Sequence, residues 1–114
     1  MHVTTEHAHD VAILRVADAR LLYPNLGGFT EAALHALESG ARGLVIDLTP
    51  VTYIDSATIG CFMDVYRHAA AAGRQVRLAG VQPRVQTMLS LTGTQRLMPM
   101  HDDLDSAVAA LGAQ

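Results

Sequence analysis

With 114 residues, the chain has room for one hydrophobic core but not for two. Half of it is hydrophobic and only 4% aromatic, so that core is aliphatic; the formal charge is −3, and all eight basic residues are arginines scattered from Arg15 to Arg96, which argues against a nucleic-acid footprint. No apolar run approaches the roughly 20 residues of a membrane span, M-H-V-T-T-E-H is not a signal peptide, and the one cysteine, Cys61, excludes an internal disulfide, so a cytoplasmic domain without membrane insertion is expected.

Residues 2–7 (H-V-T-T-E-H) alternate weakly, as an edge strand does. Ala8-His9-Asp10 reads as the turn into a stronger, more buried strand, Val11 to Val16, and so short a connection permits only an antiparallel pair. His2, His7 and His9 lie along this hairpin, but no carboxylate or thiol at a suitable spacing completes a metal site, and they read as solvated. A loop containing Pro24 follows, with Asn25 as the expected helix cap. Leu26, Phe29, Ala33 and Leu37 then recur on one helical face. Gly27-Gly28 weakens the first turn by roughly 1 kcal/mol per glycine relative to alanine, and Gly40 and Gly43 close the helix.

The run Gly43 to Gly60 organises the rest. Leu44, Val45, Ile46 and Leu48 form a nearly continuous apolar stretch, the pattern of a strand covered on both faces. Asp47 interrupts it and Pro50 stops it. Asp55-Ser56 then stands immediately before a helical pattern of Ile59, Phe62, Met63, Tyr66 and Ala70. Asp and Ser are favoured N-cap residues, because their oxygens accept from unpaired first-turn amides. The same electropositive helix start tolerates an anion, and a phosphoryl group on Ser56 would add about −1.5 to −2 charges. Local chemistry therefore allows a cap or a modified serine.

That helix ends at Gly73, and Gln75 to Ala79 is a strand. Gln82-Pro83 opens a further helix with Val85, Met88, Leu89 and Thr92 inward and Gly93 at its end. Leu97 to Met100 reads as a short edge strand containing Pro99. Asp102, Asp103 and Asp105 favour the first turn of a last helix that buries Leu104, Ala107, Val108 and Leu111. Met88, Met98 and Met100 read as core filler. The order β-β-α-β-α-β-α-β-α predicts a single α/β domain over residues 1–114: a mixed, mostly parallel sheet of four to five strands with about four helices and right-handed crossovers.

L-V-I-D-L-T-P-V-T-Y-I-D-S-A-T-I-G, G-R-Q-V-R-L-A-G and Q-P-R-V-Q-T-M-L-S-L-T-G together resemble the STAS domain, the family of bacterial anti-sigma factor antagonists that is also found on sulfate transporters. The resemblance implies that Ser56 is phosphorylated by a partner that is both serine kinase and anti-sigma factor, with Asp55 its neighbour and Thr58 a second candidate hydroxyl. It implies a partner-binding surface of Asn25, Asp55, Ser56, Ala57 and Thr58. The unphosphorylated chain would hold the kinase and free the sigma factor; the phosphorylated chain would let go. No cofactor and no catalysis by the domain are implied.

Two stretches depart from the family pattern. Where many members read Asp-Ser-Ser-Gly-Leu-Gly, this chain has Asp55-Ser56-Ala57-Thr58-Ile59-Gly60. Where members often carry Gly-x-Leu-Asp upstream, it has Ala19-Arg20-Leu21-Leu22, with Tyr23 and Asn25 the nearest polar residues. Both departures fit a second reading, in which the domain is a subunit of a lipid-transport ABC system or a scaffold of a stress-signalling complex and docks without a phosphoswitch. A hydrolase is not expected: Ile54 and Thr58 stand where a G-x-S-x-G nucleophile needs glycines, and His35 and His68 are mid-helix residues.

Overall fold

The computed structural model describes residues 2–112, so residues 1, 113 and 114 of the expected domain span lie outside the described residues. β1 (Val3–Ala8) and β2 (Val11–Val16) form the expected hairpin, antiparallel from Val3 opposite Val16 to Ala8 opposite Val11. Its two turn residues, His9 (φ 53°) and Asp10 (φ 65°), are both left-handed, which suits the strand twist of a two-residue hairpin. A separate two-stranded ribbon pairs β3 (Arg20–Leu21) with β5 (Tyr53–Ile54) in parallel. β4 (Gly43–Asp47), β6 (Gln75–Ala79) and β7 (Met100–His101) extend the main sheet in parallel, in the order β1-β2-β4-β6-β7.

From β2 onward every crossover steps one place in the same direction. Right-handed connections therefore put α1 (Gly27–Glu38), α2 (Ser56–Ala71) and α3 (Pro83–Leu91) on one face. The strands alternate to match: Ala12, Leu14, Leu44, Ile46, Val76 and Leu78 belong to the core those helices cover. The rings of Phe29 on α1 and Phe62 on α2 meet there, 5.3 Å apart and tilted at 55°. Val11, Ile13, Val45 and Ala79 point the other way and pack against Ala107, Val108 and Leu111 of α5 (Leu104–Gly112). Gly43 permits this close seat, since a Cβ there would stand 2.9 Å from Leu111 Cδ1. With both faces covered, every residue of β4 is buried, as its apolar run implies.

The structure corrects several local expectations. Asn25 does not cap α1. It ends a 3₁₀ turn, Tyr23–Asn25, begun by the fixed φ of Pro24, and the N-cap is Leu26 without a side-chain hydrogen bond. The fully buried line of α2 is Thr58, Phe62, Val65 and Ala69; Ile59, Met63 and Tyr66 lie half-buried beside it and Ala70 is exposed. Thr92 is exposed and turns its hydroxyl back to Leu89 O at 2.8 Å. An extra helical turn, α4 (Thr94–Leu97), takes up the start of the expected last strand, so β7 begins only at Met100; Met98 is fully buried between them. Among the described residues no helix is long and apolar enough to cross a membrane.

Candidate functional site at the start of the second helix

Beyond β4 the chain turns at Leu48 to Val51 and runs alongside the loop that follows β2. Thr52 N donates to Ala19 O at 2.7 Å, and Asp55 N donates to Leu21 O at 3.3 Å. Together with the β3–β5 pairing, these bonds fix the segment that delivers Asp55 to the mouth of α2. Asp55 is extended (φ −104°, ψ 176°), the backbone of an N-cap, and its carboxylate serves three donors. Oδ1 accepts from Thr58 N at 2.9 Å and from the Thr58 hydroxyl at 2.7 Å; Oδ2 accepts from Tyr23 N at 2.8 Å. The Thr58 hydroxyl bond, joined by the two backbone donors, holds the Asp55 carboxyl below the usual carboxylate range and outweighs its desolvation.

These contacts separate the two candidate hydroxyls. Ser56 is the first residue of α2; it is exposed, and among the described residues its hydroxyl has no hydrogen-bond partner. Thr58 is fully buried, and its one hydroxyl proton lies between Asp55 Oδ1 and Leu21 O, the latter at 2.8 Å. A hydroxyl so enclosed braces the corner, whereas that of Ser56 faces solvent. With Thr58 N taken by Asp55, the amides of Ser56 and Ala57 are the first-turn donors without an intrahelical acceptor. The surface at Ser56 thus combines a free hydroxyl with an electropositive helix end.

Around this corner the structure gathers residues that sequence spacing does not connect. A groove of about 600 Å³ opens between the 3₁₀ turn and α2, lined by Tyr23, Leu26, Gly27, Ala57, Gly60 and Cys61 among others. Cys61 is half-buried there with Sγ 3.3 Å from Thr30 Oγ1, so it lines a surface groove and is not sealed in the core. Tyr23 is 73% exposed on the rim. Asn25 is exposed on the same turn, but the bond to Asp55 comes from the Tyr23 backbone, not from the Asn25 side chain. Three residues before Ser56 in the chain, the Tyr53 ring centroid lies 5.3 and 5.7 Å from the guanidinium carbons of Arg20 and Arg84. Nothing in the sequence links these three residues; only the β3–β5 pairing and the placement of α3 do. His2, His7 and His9 are exposed, and among the described residues no group of three or more His, Cys, Asp or Glu side chains is placed to hold a metal.

Comparison with known proteins follows the same lines. The family model of the STAS domain matches residues 2–107. A STAS-domain containing protein of Pseudomonas aeruginosa (PA14_20770) is 32% identical over 56 residues, 49% of this chain and 55% of that protein, so the match spans about half the length of this curated relative. Among solved structures, an anti-sigma factor antagonist from Mycobacterium paratuberculosis superposes with a TM-score of 0.86 at 19% identity, covering 96% of this chain and 92% of that one. The anti-sigma factor antagonist SpoIIAA in its unphosphorylated form superposes with a TM-score of 0.82 at 15% identity, covering 99% and 98%. At such identities the likeness is one of fold.

Proposed function

Because this chain belongs to the STAS domain family, we propose that it is an anti-sigma factor antagonist: a cytoplasmic, non-enzymatic binding module whose affinity for a serine kinase acting as anti-sigma factor is set by phosphorylation of Ser56. The observation that carries the reading is the division of labour at the α2 corner. Asp55 and Thr58 do the capping and bracing, which leaves the Ser56 hydroxyl exposed and unbonded. A serine needed only as a cap would not be spare in this way.

In this reading the modification acts on the partner and not on the fold. A phosphate at the first residue of a helix meets partial positive charge and free amides, so it stabilises α2 and does not melt it. The fold persists, and the partner reads the change as about −1.5 to −2 charges and three acceptors set into the contact surface. Ala57 and the groove behind it supply the apolar part of that surface, with Asp55 and the exposed Asn25 at its edge.

The test is direct. The protein is incubated with ATP and a candidate serine kinase of the anti-sigma type, and the site is mapped by mass spectrometry. Phosphate on Ser56, absent in Ser56→Ala, supports the reading. Stable binding with no label on Ser56 supports docking without a switch, as in a transporter or scaffold subunit, and overturns it.

A further inference from the structure

Five of the chain's eight arginines are hydrogen-bonded or ion-paired within the fold, for example Arg15 with Glu6 and Arg67 with Asp64. Among the described residues Arg20, Arg84 and Arg96 have neither a hydrogen bond nor a carboxylate partner, and two of these three converge on one ring, that of Tyr53. Both are exposed. Arg84 also lies in the first turn of α3, where the helix dipole disfavours a cation. Stacking on Tyr53 holds the two guanidiniums against their mutual repulsion, and a stacked guanidinium keeps its N–H edge available for a bidentate contact. Among the described residues no carboxylate pairs with either guanidinium.

We propose that Arg20, Tyr53 and Arg84 form a docking point for an acidic segment of the protein partner, one that offers a carboxylate to each guanidinium. The proposal rests on the reading that the Ser56 surface binds a protein, and it names the chemistry of that protein's contact. It also gives the switch its sign. Tyr53 precedes Ser56 by three residues, at most about 11 Å along the chain. A phosphate on Ser56 repels the partner's carboxylates and competes with them for the same guanidiniums, and both effects release the partner.

The experiment titrates the isotope-labelled full chain with an acetylated, amidated Glu-Ala-Glu-Glu-Ala-Glu peptide and follows the arginine Nε–H signals and the Tyr53 ring by NMR. The Gln-for-Glu peptide and inorganic phosphate are parallel arms. Saturable shifts confined to Arg20, Arg84 and Tyr53 are expected, with half-saturation at about tenfold lower concentration for the acidic peptide than for phosphate. Arg20→Gln with Arg84→Gln should abolish the Tyr53 shift without altering the rest of the spectrum. Shifts spread equally over Arg67 and Arg96, no shift at all, or tighter saturation by phosphate would overturn the proposal. Ser56→Ala separates the two readings, because it removes the kinase label and should keep the peptide response. In the unmutated chain, no label on Ser56 with a retained peptide response sinks only the switch; a label on Ser56 with no peptide response sinks only the docking point.

Discussion

Thr58 shows how much one buried hydroxyl decides. Its proton is shared between Asp55 Oδ1 and Leu21 O, tying the cap of α2 to the loop after β2. Thr58→Val keeps the shape and deletes the donor, leaving enclosed acceptors under-satisfied. We expect it to lower unfolding free energy by about 1–3 kcal/mol in urea denaturation. Ser56→Ala, at an exposed and unbonded position, should change it by no more than about 0.5 kcal/mol. Equal effects at the two positions would mean that Ser56 is part of the brace after all. The Asp55-Ser56 corner is legible in the sequence because N-cap chemistry is local. The direction of Thr58 was within reach too: it stands four residues before Phe62 and seven before Val65, on the helical line that the structure buries. Ile59 and Met63 drew the stripe one residue aside, because a threonine does not register as apolar.

Elements are held at their ends by contacts of the same kind. At the end of β4, Asp47 Oδ1 accepts from Thr49 N at 3.0 Å and from Thr49 Oγ1 at 2.5 Å, and Gly80, just past β6, is packed on Thr49 with φ +66°. An alanine Cβ at Gly80 would lie 2.3 Å from Thr49 Oγ1 and 3.2 Å from its Cα. Gly80→Ala should therefore cost about 2–4 kcal/mol, more than backbone strain alone, as read by thermal or urea unfolding. On β7, His101 Nε2 lies 3.1 Å from Arg77 Nη1 and must accept that bond, so the imidazole is neutral. Burial, then the Arg77 charge, lowers its pKa below the ordinary 6.5, against the opposing pull of Asp103 and Asp102. The unfolded chain thus takes up the proton first. Stability is full above about pH 6.5 and falls as pH drops through the folded pKa. His101→Gln should flatten that limb of the unfolding free energy against pH; an unchanged slope would put its source elsewhere. The short ribbon β3–β5 and the single turn α4 were not legible, since elements of two to four residues carry no periodicity.

At the scale of the whole molecule, the alternation of strands and helices was enough to give the sheet, its mixed character and its packing, because each long element carries its own pattern. The site was only half legible for the converse reason. Ser56 and Asp55 are neighbours in sequence, whereas the groove and the Arg20–Tyr53–Arg84 cluster exist only after three crossovers bring distant loops together. The one-sided layering has its own consequence: a single helix, α5, covers Val11, Ile13, Val45 and Ala79. Leu111→Asp, which puts a charge at a position 2% exposed, should strip that cover and cause dye binding and aggregation, while a charge at the exposed Leu91 should be tolerated. Equal solubility of the two variants would mean that α5 is dispensable to the sheet.

The central claim is that a phosphate on Ser56 acts on the partner and not on the fold. Its most direct measurement compares the Kd for the purified kinase, by calorimetry without ATP, between the unmodified chain and the chain stoichiometrically phosphorylated on Ser56, with the Tm of each recorded in parallel. The account predicts at least about a tenfold loss of affinity with an unchanged or higher Tm. Equal affinities, or a loss accompanied by a collapse in Tm, would contradict it.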